Sequence, residues 1–182
     1  MTMPNSIGAG RVRAQAAPDV LELSWEFFGE LCRVLAVKVA TSGYQPDLVI
    51  GIAKAGVIPG AVVASILRCD FYSMKISRDD GTERVRVQPK IFSQAPREAQ
   101  GKRVLIVDEI CTSGETLRMA VNALRQVAPA EIRTAASLLK GTAHRPDYHA
   151  LATESMVIFP WDRHVVGAAG AIEVNPIYQG IL

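Results

Sequence analysis

Two periodicities alternate along the chain. Residues 48–52 (Leu48-Val49-Ile50-Gly51-Ile52) and 104–107 (Val104-Leu105-Ile106-Val107) are unbroken apolar runs, as expected of strands buried on both faces of a parallel sheet. Residues 71–76, 132–139 and 156–159 read as further strands. Between them, apolar residues recur at helical spacing. Residues 25 to about 41 predict a helix with Trp25, Phe28, Leu31, Cys32 and Leu35 on one face and Ser24 as N-cap. Residues 57–67 predict a second helix with Pro59 in its first turn, where proline is tolerated. Residues 115–127 predict a third. Strand–helix alternation implies an α/β fold: a central parallel sheet with right-handed crossovers, flanked by helices.

Composition narrows this picture. A chain of 182 residues, nearly half of them hydrophobic, has room for one substantial core. Residues 20–182 are read as a single domain. Residues 1–19 are rich in Gly, Ala and small polar groups and lack the apolar core of a signal peptide, so they read as a flexible tail. Residues 48–67 are apolar over the length of a membrane span, but Lys54, Gly56, Pro59 and Gly60 interrupt them, favouring strand–loop–helix and no membrane partner. The net charge of +2 implies no general affinity for nucleic acid, although Arg84, Arg86, Lys90, Arg97, Lys102 and Arg103 concentrate charge in one region. Cys32, Cys69 and Cys111 are odd in number and widely spaced, which fits a reduced, cytoplasmic protein.

The candidate chemistry lies where apolar runs end. Residues 104–107 lead into Asp108 and Glu109, then Ile110 and Cys111, then Thr112-Ser113-Gly114-Glu115-Thr116, where the third helix begins. Carboxylates at the C-terminal end of a parallel strand stand where open α/β sheets bind ligands. Thr112 to Thr116 offer backbone N–H groups and hydroxyls at a helix N-terminus, a ready anion site. Asp108 and Glu109 would repel phosphate directly, which points them to ribose hydroxyls or to Mg²⁺. The plainer alternative is a strand–turn–helix with solvated acids and Ser113 or Thr112 as N-cap. A second small loop, Ala53-Lys54-Ala55-Gly56, follows the first strand. Small residues let a backbone approach an anion, and a helix N-terminus adds positive potential; a tight loop with a solvated lysine is the alternative.

The 104–116 segment resembles the PRPP-binding motif of the type I phosphoribosyltransferases, with Ser113-Gly114-Glu115-Thr116 in the place of Thr-Gly-x-Thr. The resemblance spans roughly residues 23–167 and is nearest to the 6-oxopurine branch, the xanthine–guanine and hypoxanthine enzymes. It implies a type I phosphoribosyltransferase fold with a small base-binding hood. Asp108, Glu109 and Thr112 take the catalytic positions, and Thr112, Ser113, Gly114, Glu115 and Thr116 hold the 5′-phosphate. Ala53, Lys54, Ala55 and Gly56 form the pyrophosphate loop, which in this family often holds a cis non-proline peptide. Lys140 at a strand end and Met156, Val157, Ile158 and Phe159 bind the base, with Met156 in a stacking place that is often aromatic. Mg²⁺ is the implied cofactor, at Asp108 and Glu109 with Asp162 as a weaker ligand. Residues 78–101 would form a mobile lid. PRPP, a purine base, pyrophosphate and a nucleoside monophosphate are the implied partners, with a homodimer or higher homo-oligomer. Thr112 departs from the pattern, because many 6-oxopurine enzymes carry Asp there as a proton acceptor, and Thr is no base near neutral pH. Two other functions fit the same residues: a PRPP-binding regulator without turnover, or transfer to another base.

Overall fold

The structure, a computed structural model, describes residues 19–79, 85–141 and 144–181. The expected tail at 1–19 lies outside these residues except for Asp19. Four strands form the centre of the fold: β2 (Leu48–Ala53), β3 (Asp70–Asp79), β5 (Arg103–Cys111) and β6 (Glu131–Leu139). With β4 (Val85–Ile91) and β7 (Tyr148–Ala152) they make a six-stranded sheet in the order β4-β3-β2-β5-β6-β7. Every pairing is parallel except β3 with β4, which closes one edge antiparallel. The sheet is therefore mixed at that edge.

Alternation along the central strands divides the core. Leu48, Ile50 and Ile52 of β2 and Val104 and Ile106 of β5 pack with Leu117, Ala120 and Leu124 of α3 (Glu115–Arg125). Val49, Leu105 and Val107 point the other way, against Leu35 and Val39 of α1 (Trp25–Thr41) and Val63 of α2 (Val57–Leu67). Burial on both faces explains why these strands carry no polar alternation.

The predicted helices form with small adjustments. Ser24 Oγ accepts from the Phe27 N–H at 3.1 Å and starts α1. Phe28, Leu31, Cys32 and Leu35 are buried. Trp25 is not: it is 55% exposed, with Trp161 beside it at 5.7 Å between ring centroids. The third helix ends at Arg125 rather than 127, with Gln126 as C-cap.

The region from 78 to 101 contains β4, which returns along β3 with Ile76 opposite Ile91 and Ser77 opposite Lys90. Its described part is thus a hairpin arm followed by a turn of 3₁₀ helix, Arg97–Ala99, with residues 80–84 outside the described part. Pro89 and the interspersed charges of β4 suit an edge strand and obscure its period. Above the sheet, β1 (Val20–Glu22) pairs parallel with β8 (Met156–Ile158), and β9 (His164–Val166) pairs antiparallel with β10 (Ile172–Val174). This hood packs through Leu23, Phe28, Leu138 and Phe159. No helix among the described residues is long and apolar enough to cross a membrane.

Candidate active site

The site begins with the register of β2 and β5. Leu48 lies opposite Val104 and Gly51 opposite Val107, so both strands end side by side. Each then turns into a helix. The 53–56 loop leads into α2 and the 112–114 loop into α3. A cavity of about 890 Å³ opens between them.

Both helices start at glycine. Gly56 is the N-cap of α2 and Gly114 the N-cap of α3, and neither has a side-chain cap. Neither Thr112 nor Ser113 fills the N-cap position. Ser113 Oγ accepts only a long bond from the Glu115 N–H, 3.4 Å. Two helix N-termini whose N-cap residues carry no side-chain cap therefore border the same cavity. Gly114 has φ +75°, which L-residues rarely adopt, and the His144 ring covers the face where a Cβ would stand. Gly56 lies so close beneath β5 that a Cβ would come within 2.7 Å of Asp108 Oδ1. The Ala53–Lys54 peptide bond is cis.

Between the two loops stand the carboxylates. Asp108 is buried, and its Oδ1 accepts from the Glu109 N–H at 3.0 Å. Burial, and after it the neighbouring Glu109 carboxylate, pushes Asp108 well above the ordinary carboxylate range. Cys111 also touches the cavity, but burial raises its thiol, which makes it a packing residue rather than a nucleophile. Among the described residues, no group of three or more His, Cys, Asp or Glu side chains stands ready to hold a metal unaided.

The structure brings most of the expected site residues onto one wall. Ala53, Lys54, Ala55, Asp108, Glu109, Thr112, Ser113, Gly114 and Thr116 line the cavity together with Phe159 and Asp162. Gly56 lies just beneath it. Glu115 turns aside to Arg78, whose Nη2 donates to Glu115 Oε2 at 2.6 Å. Lys140 lies off the wall, and its backbone N–H donates to the Cys111 carbonyl at 2.9 Å. Met156, Val157 and Ile158 are also off the wall, in β8 beside Val20, Leu21 and Glu22; Ile158 is fully buried. Trp161 reaches the wall and stacks on Phe159, 4.7 Å between centroids and 15° between planes. The sequence attached no site role to Trp161, Ile58 or His144, and took Arg78 only as the first residue of the expected lid. Trp161 had a signal in its place beside Asp162. Arg78 and His144 had none, since their partners are distant in sequence.

Comparison with known proteins bears on the family and the fold. Residues 23–168 match the family model of the phosphoribosyl transferase domain. A transcriptional regulator GfcR from Methanococcoides burtonii is 28% identical over 131 residues, 65% of this chain and 63% of that protein. An orotate phosphoribosyltransferase from Phenylobacterium zucineum is 30% identical over 137 residues, 73% of this chain and 66% of that one. The chain thus spans a little under two thirds of the length of these relatives. The crystal structure of a purine phosphoribosyltransferase from Pyrococcus horikoshii superposes with a TM-score of 0.68 at 28% identity, covering 79% of this chain and 93% of that one. With the whole site inside the matched residues, the chain belongs to the phosphoribosyl transferase domain family.

Proposed function

We propose that this protein transfers the phosphoribosyl group of PRPP to a ring nitrogen of a 6-oxopurine (guanine, xanthine or hypoxanthine), releasing pyrophosphate and a nucleoside monophosphate. The observation that carries this reading is the pair of glycine-started helices, α2 and α3, opening onto one cavity on either side of a carboxylate pair. PRPP has the matching charge pattern: a phosphate at one end of a ribose and a pyrophosphate at the other. Backbone N–H groups of residues 112–116 would hold the 5′-phosphate, and the 53–56 loop with Lys54 would hold pyrophosphate. Asp108 and Glu109 between them would take the ribose hydroxyls.

In the reaction a nitrogen of the base forms a bond to ribose C1′ while the bond from C1′ to the pyrophosphate oxygen breaks, the electron pair leaves with pyrophosphate, and the N–H proton of the base passes to solvent or to the departing pyrophosphate. Positive charge develops on the ribose ring, and the adjacent carboxylates are suited to stabilise it. Holding both reactants in one walled cavity lowers the entropic part of the barrier. Thr112 is no general base, so positioning and electrostatics carry the catalysis.

The donor set fits Mg²⁺ that arrives with the pyrophosphate. Mg²⁺ is commonly held by one or two carboxylates plus substrate phosphates rather than by an all-protein cage. Asp108 and Glu109 are the residues that would hold it, partly through water or ribose, with Asp162 on the same wall. Bound there, Mg²⁺ would neutralise charge on the leaving pyrophosphate.

For the base, the purine enzyme among the similar structures supports a purine. Lys140, a donor without acceptor capacity, would favour a 6-oxo group over an amine. Phe159 and Trp161 give that end of the cavity an aromatic wall. Pyrophosphate release from PRPP and Mg²⁺, measured with guanine, xanthine, hypoxanthine, adenine, uracil and orotate, tests the proposal. Turnover restricted to 6-oxopurines supports it. Turnover of orotate alone moves the protein to another substrate class. Tight PRPP binding with no turnover on any base favours a second reading, a PRPP-responsive regulator, to which the similarity to a transcriptional regulator gives weight.

A further inference from the structure

The 5′-phosphate loop carries an electrostatic conflict. Glu115, the residue after Gly114, begins α3 and places a carboxylate in its first turn, beside the donors that would receive phosphate. An acid there suits the helix dipole but repels a phosphate dianion arriving at the same N-terminus. Between Thr112 and Thr116 there is no cation.

The compensating charge comes from another element. Arg78 continues the row of Met74 and Ile76, which pack on the α3 side of the sheet. At Arg78 that row passes the end of the core, and the β3–β4 register shifts between Ser77 and Asp79. Such irregularities re-aim side chains near functional sites. One guanidinium nitrogen, Nη2, donates to Glu115 Oε2 at 2.6 Å and to Ser113 Oγ at 3.1 Å. Arg78 and Ser113 both line the cavity.

We propose that Arg78 is a 5′-phosphate-binding residue, held over the phosphate loop by Glu115 and Ser113 before the ligand arrives. This rests on the reading of the 112–116 loop as the sugar-phosphate site and adds a specificity-determining residue to it. A guanidinium offers five donors in a planar fork that suits both carboxylate and phosphate. Its position therefore selects a phosphorylated ribose over a free one. Glu115 keeps the long side chain in place, at the cost of repulsion once phosphate is bound.

Calorimetric titration with ribose 5-phosphate, Mg²⁺-pyrophosphate and PRPP tests this in the wild type, Arg78→Gln, Arg78→Lys, Glu115→Gln and the Arg78→Gln/Glu115→Gln pair. Arg78→Gln should weaken ribose 5-phosphate by about tenfold or more, the size of a lost charge-assisted hydrogen bond. It should reduce the salt dependence of binding and leave Mg²⁺-pyrophosphate within about twofold, well under the roughly tenfold equivalent of one such bond. Arg78→Lys should fall between wild type and Arg78→Gln. Glu115→Gln added to Arg78→Gln should restore part of the lost affinity, because without Arg78 the Glu115 carboxylate only repels the phosphate. Should Arg78→Gln fail to fold, Arg78→Lys still decides: wild-type ribose 5-phosphate affinity and salt dependence together with an unaltered response to the Glu115→Gln change would overturn the assignment. Unchanged ribose 5-phosphate affinity in folded Arg78→Gln, or an equal loss for pyrophosphate, would also overturn it while leaving the proposed function intact. A wild type that binds neither PRPP nor ribose 5-phosphate would sink both.

Discussion

Gly56 and Asp108 are in close contact: a Cβ on Gly56 would stand 2.7 Å from Asp108 Oδ1 and 2.7 Å from the Ile52 carbonyl oxygen. The start of α2 is thereby seated on the carboxylate near the end of β5. One backbone neighbour and one buried side chain leave no flexible group to yield. Gly56→Ala should cost about 1–3 kcal/mol, as small-to-large changes in packed sites do. It should also weaken Mg²⁺-pyrophosphate, because the loop must lift. Urea unfolding and calorimetry check both, and wild-type values in the two assays would refute the tight seat.

Replacing Asp108 and Glu109 with Asn and Gln should weaken Mg²⁺-PRPP binding while the fold survives. The amides keep shape but lose attraction to the metal–ligand unit. Asp108 is buried beside another acid, so neutralising it removes a desolvated like charge. Asp108→Asn alone should therefore melt at or above the wild-type temperature. Unaltered PRPP affinity in the double variant would remove the carboxylates from the site.

Gly114→Val should abolish PRPP binding, and the His144 ring now supplies a second reason beside the left-handed φ. The two reasons separate in a double-mutant cycle. Gly114→Ala should lose about 1–2 kcal/mol from the left-handed backbone alone, and more from displacing the ring. His144→Ala should relieve the second part only, so the double variant should lose less than the sum. Strict additivity in thermal unfolding would show that His144 does not press on the loop. Thr116→Ala should cost about 1.5–3 kcal/mol of PRPP affinity, the value of a hydrogen bond to a charged group.

The role proposed for Lys140 predicts that Lys140→Ala erases much of the proposed preference for 6-oxopurines while leaving PRPP binding nearly intact. Lys140 pairs its backbone with Cys111, which lines the cavity, while Lys140 itself lies off the lining. Initial rates with four purines, for wild type and variant, check this. An unchanged ranking would hand base selection to groups on the wall itself, such as Phe159 and Trp161.

Asp47 ties the start of β2 to the start of β5. Its Oδ2 accepts from the Arg103 N–H at 2.8 Å, and its Oδ1 accepts from Arg103 Nη2 at 2.9 Å. These bonds, the side-chain ones foremost, hold its carboxyl at about 2, below the ordinary 3.8. A depressed carboxyl stabilises the fold above its unfolded value and loses that contribution as pH falls through its folded one. The gap in melting temperature between wild type and Asp47→Asn should be full near pH 6, shrink below about pH 4 and vanish near pH 2. The pair is partly exposed, so added salt should narrow the gap at neutral pH. A gap that does not change with pH would assign the effect to packing.

What the sequence determined by itself was local. Unbroken apolar runs mark β2 and β5 because a strand covered on both faces needs no polar residue. Ser24 marks the start of α1 because an N-cap bonds within three residues. The acid pair and the small loops at 53–56 and 112–116 were visible because phosphate chemistry demands small residues close together in the chain. Strands of three residues, such as β1, β9 and β10, are too short to show a period. The edge strand β4 is masked by Pro89 and its charges.

Only the tertiary structure decided which loops share a cavity. Nothing local in residues 48–53 specifies that they hydrogen-bond to residues 104–107, yet that register sets Gly56 against Asp108 and aims both helix N-termini at one space. The same holds for Arg78 over Glu115, His144 on Gly114, and Trp161 rather than Met156 on the wall. These contacts join residues about 30 or more apart or depend on the path of the hood. They arise from how packed layers bring distant segments together, which no short pattern in the chain records.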